Sequence, residues 1–388
     1  MIKSQDPVNW KEQFLLEPDV VFLNHGSFGA CPRAIFDEYQ RIQLEMERQP
    51  VRFLGREFRD RMADSRAALA IYLGADADDL VYTQNVTTGL NTVAKSLHLL
   101  PGDEVLGTDH EYGALDRTWR FVCQQTGAQY VRAPISVPVV SADDIVEQVW
   151  SHVTQRTRVL FISHITSPTA LILPIEPLIA KAREAGILTI IDGAHAPGQL
   201  PLDLDTLGAD VYAGNCHKWM LAPKGSGFLH VRREVQKLID PLIVSWGWES
   251  DEPSSSQFVD HHEWQGTRDI SAFLTVPAAI RFMEQHNWPA VARQCTELLH
   301  KYVPQILSAT GQQALSPNTD EWFAQMASFI IPTADWQGFK AKLYDEHHIE
   351  APTIWWNGKT LLRISVNAYS VKQDLHKLTT AIRQLLEH

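Results

Sequence analysis

The chain has 388 residues, 45% hydrophobic and 21% charged, with a net charge of −12. That length exceeds one ordinary core, so two domains are the default, and the composition is that of a globular protein. The acidic balance excludes a general affinity for nucleic acid or anionic membrane. No apolar run approaches the roughly 20 residues that span a bilayer. Cys31, Cys123, Cys216 and Cys295 form no C-x-x-C pair, which suits free thiols in a reducing compartment and neither a disulfide frame nor a zinc site. The opening MIKSQDPVNWKEQ has no apolar signal core, so the cytoplasm is the expected location.

The first 60 residues read as irregular, with a short strand in VVFLNHGSFGACP entering a Gly-rich loop. Asp60 to Leu73 reads as a helix stopped by Gly74. From Leu80, strands and helices alternate: DLVYT, the helix TTGLNTVAKSLHLL, DEVLGT, the helix GALDRTWRFVCQQTG, and QYVRAPI. The helix SADDIVEQVWSHV opens on a box-like Ser141 and Asp144, and RVLFISHI, the helix PIEPLIAKAREAG and ILTIID follow. This alternation predicts an α/β fold with a mostly parallel sheet covered on both faces. The unbroken apolar runs VLFI and ILTII fit strands buried on both sides.

The alternation stops after the strand GFLHV. Two helical patterns follow Ile270, then short strands (ASFII, TLLRISV) and a last helix starting at Ser370 with Gln373. The expected division is a large ligand-binding domain over 20–262 and a smaller α+β domain over 263–388, with residues 1–19 packing on the second.

Ligands of open α/β sheets sit beyond the carboxyl ends of the strands. The stretch VYAGNCHKWMLAPKGSGFLHV puts Asn215, His217 and Lys218 at such an end, and IIDGAH adds Asp192 and His195. Taken singly, the lysine reads as solvated and the aspartate as a helix cap. Together they suit a pyridine cofactor held as a Schiff base, with the carboxylate on its ring nitrogen. The lysine must then be neutral to attack an aldehyde, which burial and a nearby cation favour. In NVTTGLN, Thr87 and Thr88 open a helix and read either as a phosphate site or as a plain cap. FISHITSPTA ends a strand with His164, Thr166 and Ser167, which are placed to donate to a phenolic oxygen.

These pieces, in their order, resemble the class V aminotransferase superfamily of fold-type I enzymes, and within it the isopenicillin N epimerase-like branch. The matching segments are LNHGSFGACP, NVTTGLN, DHEYGALD, HITSPTA, IDGAHAPG, GNCHKW, QGTRD and LLRIS, from about Leu23 to Tyr369. The resemblance implies a mostly parallel seven-stranded sheet between helices and the cofactor pyridoxal 5′-phosphate. Lys218 would be the aldimine lysine and Asp192 the partner of the ring nitrogen. Thr87, Thr88, Asn215 and His217 would hold the phosphate. Thr267 would reach the phosphate of a neighbouring subunit, so a homodimer with shared active sites is implied. His195 would contact the cofactor's O3′, and so would Ser167, which stands where many relatives carry Asn. The ring-stacking aromatic would be Tyr112 in preference to His110. Arg363 would clamp the substrate carboxylate, which its planar fork suits. Asn24 and His25 would line the substrate side.

Cysteine desulfurases of the superfamily need a nucleophilic Cys shortly before the clamp arginine. HHIEAPTIWWNGKTLLR has none, so persulfide chemistry is not expected. Trp355 and Trp356 stand there instead, as pocket walls or as core residues. The implied activity is work at Cα or Cβ of an amino acid, through a carbanion delocalised into the cofactor as a quinonoid. Epimerisation leads, with C–S β-elimination and transamination as alternatives. A non-catalytic cofactor-binding protein is the reading from another class, and the intact set Lys218, Asp192 and Arg363 opposes it.

Overall fold

Seven apolar segments pair into one sheet in a computed structural model that describes residues 9–387. In chain order they are β1 (Leu80–Thr83), β2 (Glu104–Thr108), β3 (Gln129–Ala133), β4 (Thr157–Ser163), β5 (Leu188–Gly193), β6 (Val211–Asn215) and β7 (Gly227–Val231). Their order across the sheet is β1-β7-β6-β5-β4-β2-β3. Only β7 runs against the rest. A short loop from β6 returns the chain along the same edge as a hairpin, whereas the parallel strands need helical crossovers. β4 and β5 are buried along nearly all their length, as their unbroken apolar runs require.

Helices α1 (Phe58–Leu73), α2 (Val86–Ser96), α3 (Gly113–Thr126), α4 (Ala142–Trp150) and α5 (Ile175–Glu184) include the crossovers. Gly74 ends α1 in the left-handed conformation (φ 61°), as a helix stop needs. Ser141 caps α4 by accepting from the Asp144 N–H. The last helix, α6 (Lys372–Leu386), begins later than the sequence suggests. The Asp374 carboxylate accepts from the Val371 N–H, and Ser370 instead accepts from Asn367.

The expectation of irregular structure over the first 60 residues is corrected. Arg33–Arg48 forms a 16-residue helix whose Ile35, Ile42 and Met46 are buried. Its charged majority hides that stripe in the sequence, but apolar residues at helical spacing suffice once a core is present. Of the terminal segment 1–19, residues 1–8 lie outside the described residues. Trp10 packs on Phe282 and Trp288.

The C-terminal α+β part carries a three-stranded antiparallel sheet from Met326–Ile331, Thr353–Trp356 and Lys359–Ser365. Thr353–Trp356, unassigned in the sequence, forms a hairpin with the segment carrying Arg363. Val21–Phe22 pairs with Ile349–Glu350 and brings the N-terminal Gly-rich loop to this part. No helix among the described residues is long and apolar enough to cross a membrane.

Phe161 lies at the centre of β4, fully buried, with its ring 5.7 Å from Trp119. Phe161→Ala should cost about 3–5 kcal/mol of stability, read as a lower denaturation midpoint.

Candidate active site

Three parallel neighbours end in polar residues where their apolar runs stop. Ser163 closes β4, Asp192 lies one residue from the end of β5, and Asn215 closes β6. Parallel register sets Ser163 beside Asp192 and Asp192 beside Ala213. Above them opens a cavity of about 820 Å³. Thr87, Thr88, Tyr112, Ser167, Asp192, His195, Asn215, His217 and Lys218 all border it.

The Lys218 amine lies 3.2 Å from His195 Nε2. Trp219 donates to His195 Nδ1 at 3.4 Å. A neutral imidazole that accepts at Nδ1 carries its proton on Nε2, and that proton then meets the lone pair of a neutral amine. The electrostatics agree. Burial, then the Arg363 charge, pulls Lys218 down to about 7, with Asp192 opposing. Burial holds His195 well below the usual imidazole range. It also raises Asp192 to about 6, against the Ala194 N–H that its carboxylate accepts at 2.9 Å.

The lysine backbone is clamped from the N-terminal loop. His25 Nε2 lies 3.0 Å from the Lys218 carbonyl, and its Nδ1 lies 3.0 Å from the Tyr369 hydroxyl. Gly29 (φ +70°) passes so close that a Cβ would collide with the His217 carbonyl and reach 3.0 Å from Lys218 Cα. His25 therefore supports the lysine from behind. Neither it nor Asn24, whose amide donates to Glu350, borders the cavity, so the expectation that they line it is corrected. Ser27 and Phe28, one helical turn on, form the wall in their place.

At the other end, α2 points its N-terminus at the cavity. Its Val86 N–H goes to the Asn215 side chain and its Thr88 N–H to the Asn85 side chain. Thr87 and Thr88 present hydroxyls where the helix dipole favours an anion. His217 Nδ1 donates to the Ser226 carbonyl at 2.7 Å, and burial lowers its pKa to about 4, so it is neutral.

Arg363 sits one layer back. One of its terminal nitrogens donates to the Ser167 carbonyl and hydroxyl (2.8 and 3.1 Å), and the other donates to the Ser27 hydroxyl (3.0 Å). Its buried Nε–H has no partner, and Arg363 itself does not border the cavity but lies behind Ser27 and Ser167, which do. Thr267 is exposed and outside the cavity, while its neighbours Arg268 and Asp269 border it. His110 is fully buried between Thr169 (2.7 Å) and the Ile135 carbonyl (3.0 Å), whereas Tyr112 is 45% exposed on the cavity wall. His164 bonds the Tyr212 hydroxyl and Thr166 closes a local turn, so only Ser167 of that trio faces the cavity. Trp356 donates to the Asp109 carbonyl against His110, and Trp355 is half exposed; neither borders the cavity.

Asn85, Ser163, Lys224 and Arg268 also border the cavity and were missed in the sequence. Asn85 was readable as a cap, since it precedes a Thr-rich helix start. The other three come together only through tertiary folding.

This geometry meets its match among known proteins. The model of the family Aminotransferase class-V matches residues 30–378. The chain belongs to the class V aminotransferase family. Isopenicillin N epimerase of Amycolatopsis lactamdurans is 35% identical over 391 residues, 97% of this chain and 98% of the relative. A probable chloroplastic L-cysteine desulfhydrase of Arabidopsis thaliana is 27% identical over 406 residues, covering 95% and 84%. A solved structure of the cystine C–S lyase C-DES, in complex with its reaction product cysteine persulfide, superposes with a TM-score of 0.81 at 22% identity, covering 94% of this chain and 98% of that one. As a class V enzyme the chain uses pyridoxal 5′-phosphate, and the site fits it, with an anion end at α2, a neutral amine and a buried carboxylate.

The titration of Lys218 is open to direct measurement. Its labelling by a limiting amine-acylating reagent in the cofactor-free protein should rise through about pH 7, while an ordinary lysine needs about pH 10.4. Peptide mass spectrometry across that range reads the midpoint.

Proposed function

We propose that this enzyme moves a proton at Cα of an amino acid, inverting the centre as in an isopenicillin N epimerase-like reaction. The observation that carries the reading is the Lys218 amine, neutral near pH 7 and paired with His195 at 3.2 Å. Bound pyridoxal 5′-phosphate supplies an aldehyde for covalent capture of an amine and a ring that accepts the electron pair left at Cα.

The chain's own groups do the rest. Lys218 would be the covalent attachment point, and its free amine, with a pKa near working pH, would serve as the base, as proton transfer requires. Asp192 holds the ring nitrogen. Thr87, Thr88, Asn215 and His217 hold the phosphate end, the threonines directly at the helix N-terminus. His195 and Ser167 flank the phenolic side, and Tyr112 rather than His110 provides the stacking ring. Arg363 receives the substrate carboxylate through its unpartnered Nε–H and the neighbouring terminal nitrogen that bonds Ser27. For the return of the proton on the opposite face, His25 is committed at both nitrogens, and the candidates are the Tyr112 phenol on the cavity wall, the Tyr39 phenol in the same lining, and a residue of the other subunit.

The same proton removal followed by loss of a β-substituent is C–S β-elimination, the second reading. It is favoured by the similarity to L-cysteine desulfhydrases. Persulfide transfer is not part of it. All four cysteines are free and buried, and none borders the cavity.

The active form is a homodimer in which Thr267 completes the neighbour's phosphate site. Its exposure just outside the cavity supports this, as do the exposed Phe28 and Tyr112 near the cavity mouth. Four free thiols support a reducing, cytoplasmic location.

Purified protein should be yellow, and borohydride should bleach it and leave a cofactor tag on Lys218; Lys218→Ala should carry no tag. A tag elsewhere, or none, overturns the reading. In deuterated water, Cα exchange with inversion supports epimerisation, whereas pyruvate with sulfide and no inversion assigns the lyase. Arg363→Lys keeps the charge and loses the fork, so substrate KM should rise about tenfold to a hundredfold with far less effect on cofactor retention.

A further inference from the structure

One buried carboxyl at the site has no role in this scheme. Glu111 lies between His110 and Tyr112 in the chain, 7% exposed, and forms no ion pair among the described residues. Its two oxygens are each met by a hydroxyl. Thr108 Oγ1 lies 2.7 Å from Oε1, and Ser163 Oγ lies 2.6 Å from Oε2. Ser163 borders the cavity and neighbours Asp192 across the β4–β5 pairing.

The surroundings favour the uncharged carboxyl. Asp192, whose charge bears on Glu111, is the other buried acid at this end of the sheet. Tyr130 on β3 and Asp116 on α3 face the same interior, and the Tyr130 hydroxyl is buried without a partner. Two buried carboxylates without a cation between them do not both ionise readily. Burial first, and more weakly Asp192, raises Glu111 to about 8, against the Ser163 and Thr108 hydroxyl bonds and the Ser163 backbone N–H.

Proton placement then follows from the contacts. Thr108 Oγ1 accepts from the His110 N–H at 3.2 Å, so its own proton goes to Glu111 Oε1. With Thr108 donating to Oε1, a neutral Glu111 would carry its acid proton on Oε2 and the 2.6 Å contact would run from Glu111 to Ser163 Oγ, the reverse of the direction an ionised carboxylate imposes. A serine that accepts in this way has its own hydroxyl proton free to turn into the cavity.

We propose that Glu111 is a positioning residue: as a neutral acid it donates to Ser163, turns the Ser163 hydroxyl into a donor at the ring end of the cofactor cavity, and leaves Asp192 the ionised carboxylate there. This rests on the reading of Asp192 as the ring-nitrogen partner. Glutamine reproduces the pattern, donating N–H to Ser163 and accepting from Thr108 with its carbonyl, whereas alanine removes it.

The test uses the holoenzyme at pH 7. The infrared carbonyl stretch of a protonated carboxyl should be present, shift in deuterated water, move in Ser163→Ala and vanish in Glu111→Gln. Cofactor affinity, read by fluorescence on titration of the cofactor-free protein, should stay within about threefold of the parent in Glu111→Gln. It should fall about tenfold in both Glu111→Ala and Ser163→Ala, the effect of one hydrogen bond. The absence of that band, or a band that survives Glu111→Gln, overturns the proposal, and so does a Glu111→Gln affinity as low as that of Glu111→Ala. Borohydride trapping on the same samples separates the two readings. A tag on Lys218 without the predicted band removes only the Glu111 proposal, whereas a missing tag removes the reading beneath it.

Discussion

The candidate site is organised around keeping a lysine amine uncharged inside a protein. An ammonium at Lys218 would be stripped of water and would face the Arg363 charge, so the proton leaves near pH 7. The neutral amine then accepts from His195, itself kept neutral by burial and oriented by Trp219. Asp192, nearby and anionic near neutrality, limits how far the lysine pKa falls. The site is thus a balance of desolvation against a small number of charges.

The fold supplies that balance by ending its strands together. Parallel register lines up Ser163 and Asp192, and β6 delivers Asn215 and then Lys218 along the same edge. The loop after Asn24 then closes on the lysine from the far side. His25 grips the Lys218 carbonyl, and Gly29 approaches the backbone where no side chain fits. The Gly-rich loop therefore supports the lysine and, through Ser27 and Phe28, also walls the cavity. Arg363 arrives from the C-terminal sheet and is held by Ser27 and Ser167, so three distant parts of the chain meet at one guanidinium.

The stretch before Arg363 forms a hairpin with Trp355 and Trp356, and Trp356 is spent on Asp109 and His110. No thiol reaches the cavity. The proposed set of a general base, an electron-accepting cofactor and an anion clamp is suited to work at Cα.

Much of this was legible in the residues themselves. Apolar runs with helix-period segments between them determine a parallel sheet, because strand and helix patterns differ in period and neither sits in the other's place. Lys218, Asp192, Thr87 and Thr88 were readable because they lie at or just past a strand's carboxyl end or in the first turn of the helix that follows one, where polar groups of an α/β fold collect. The helix over Arg33–Arg48 was not, since its few apolar positions gain meaning only against a core. The retreat of His25 and Asn24 behind Ser27 and Phe28, and the pairing of Glu111 with Ser163, depend on contacts between residues far apart in the chain. Periodicity reports which face of a segment is apolar; which polar side chain reaches a cavity is decided by how separate segments pack.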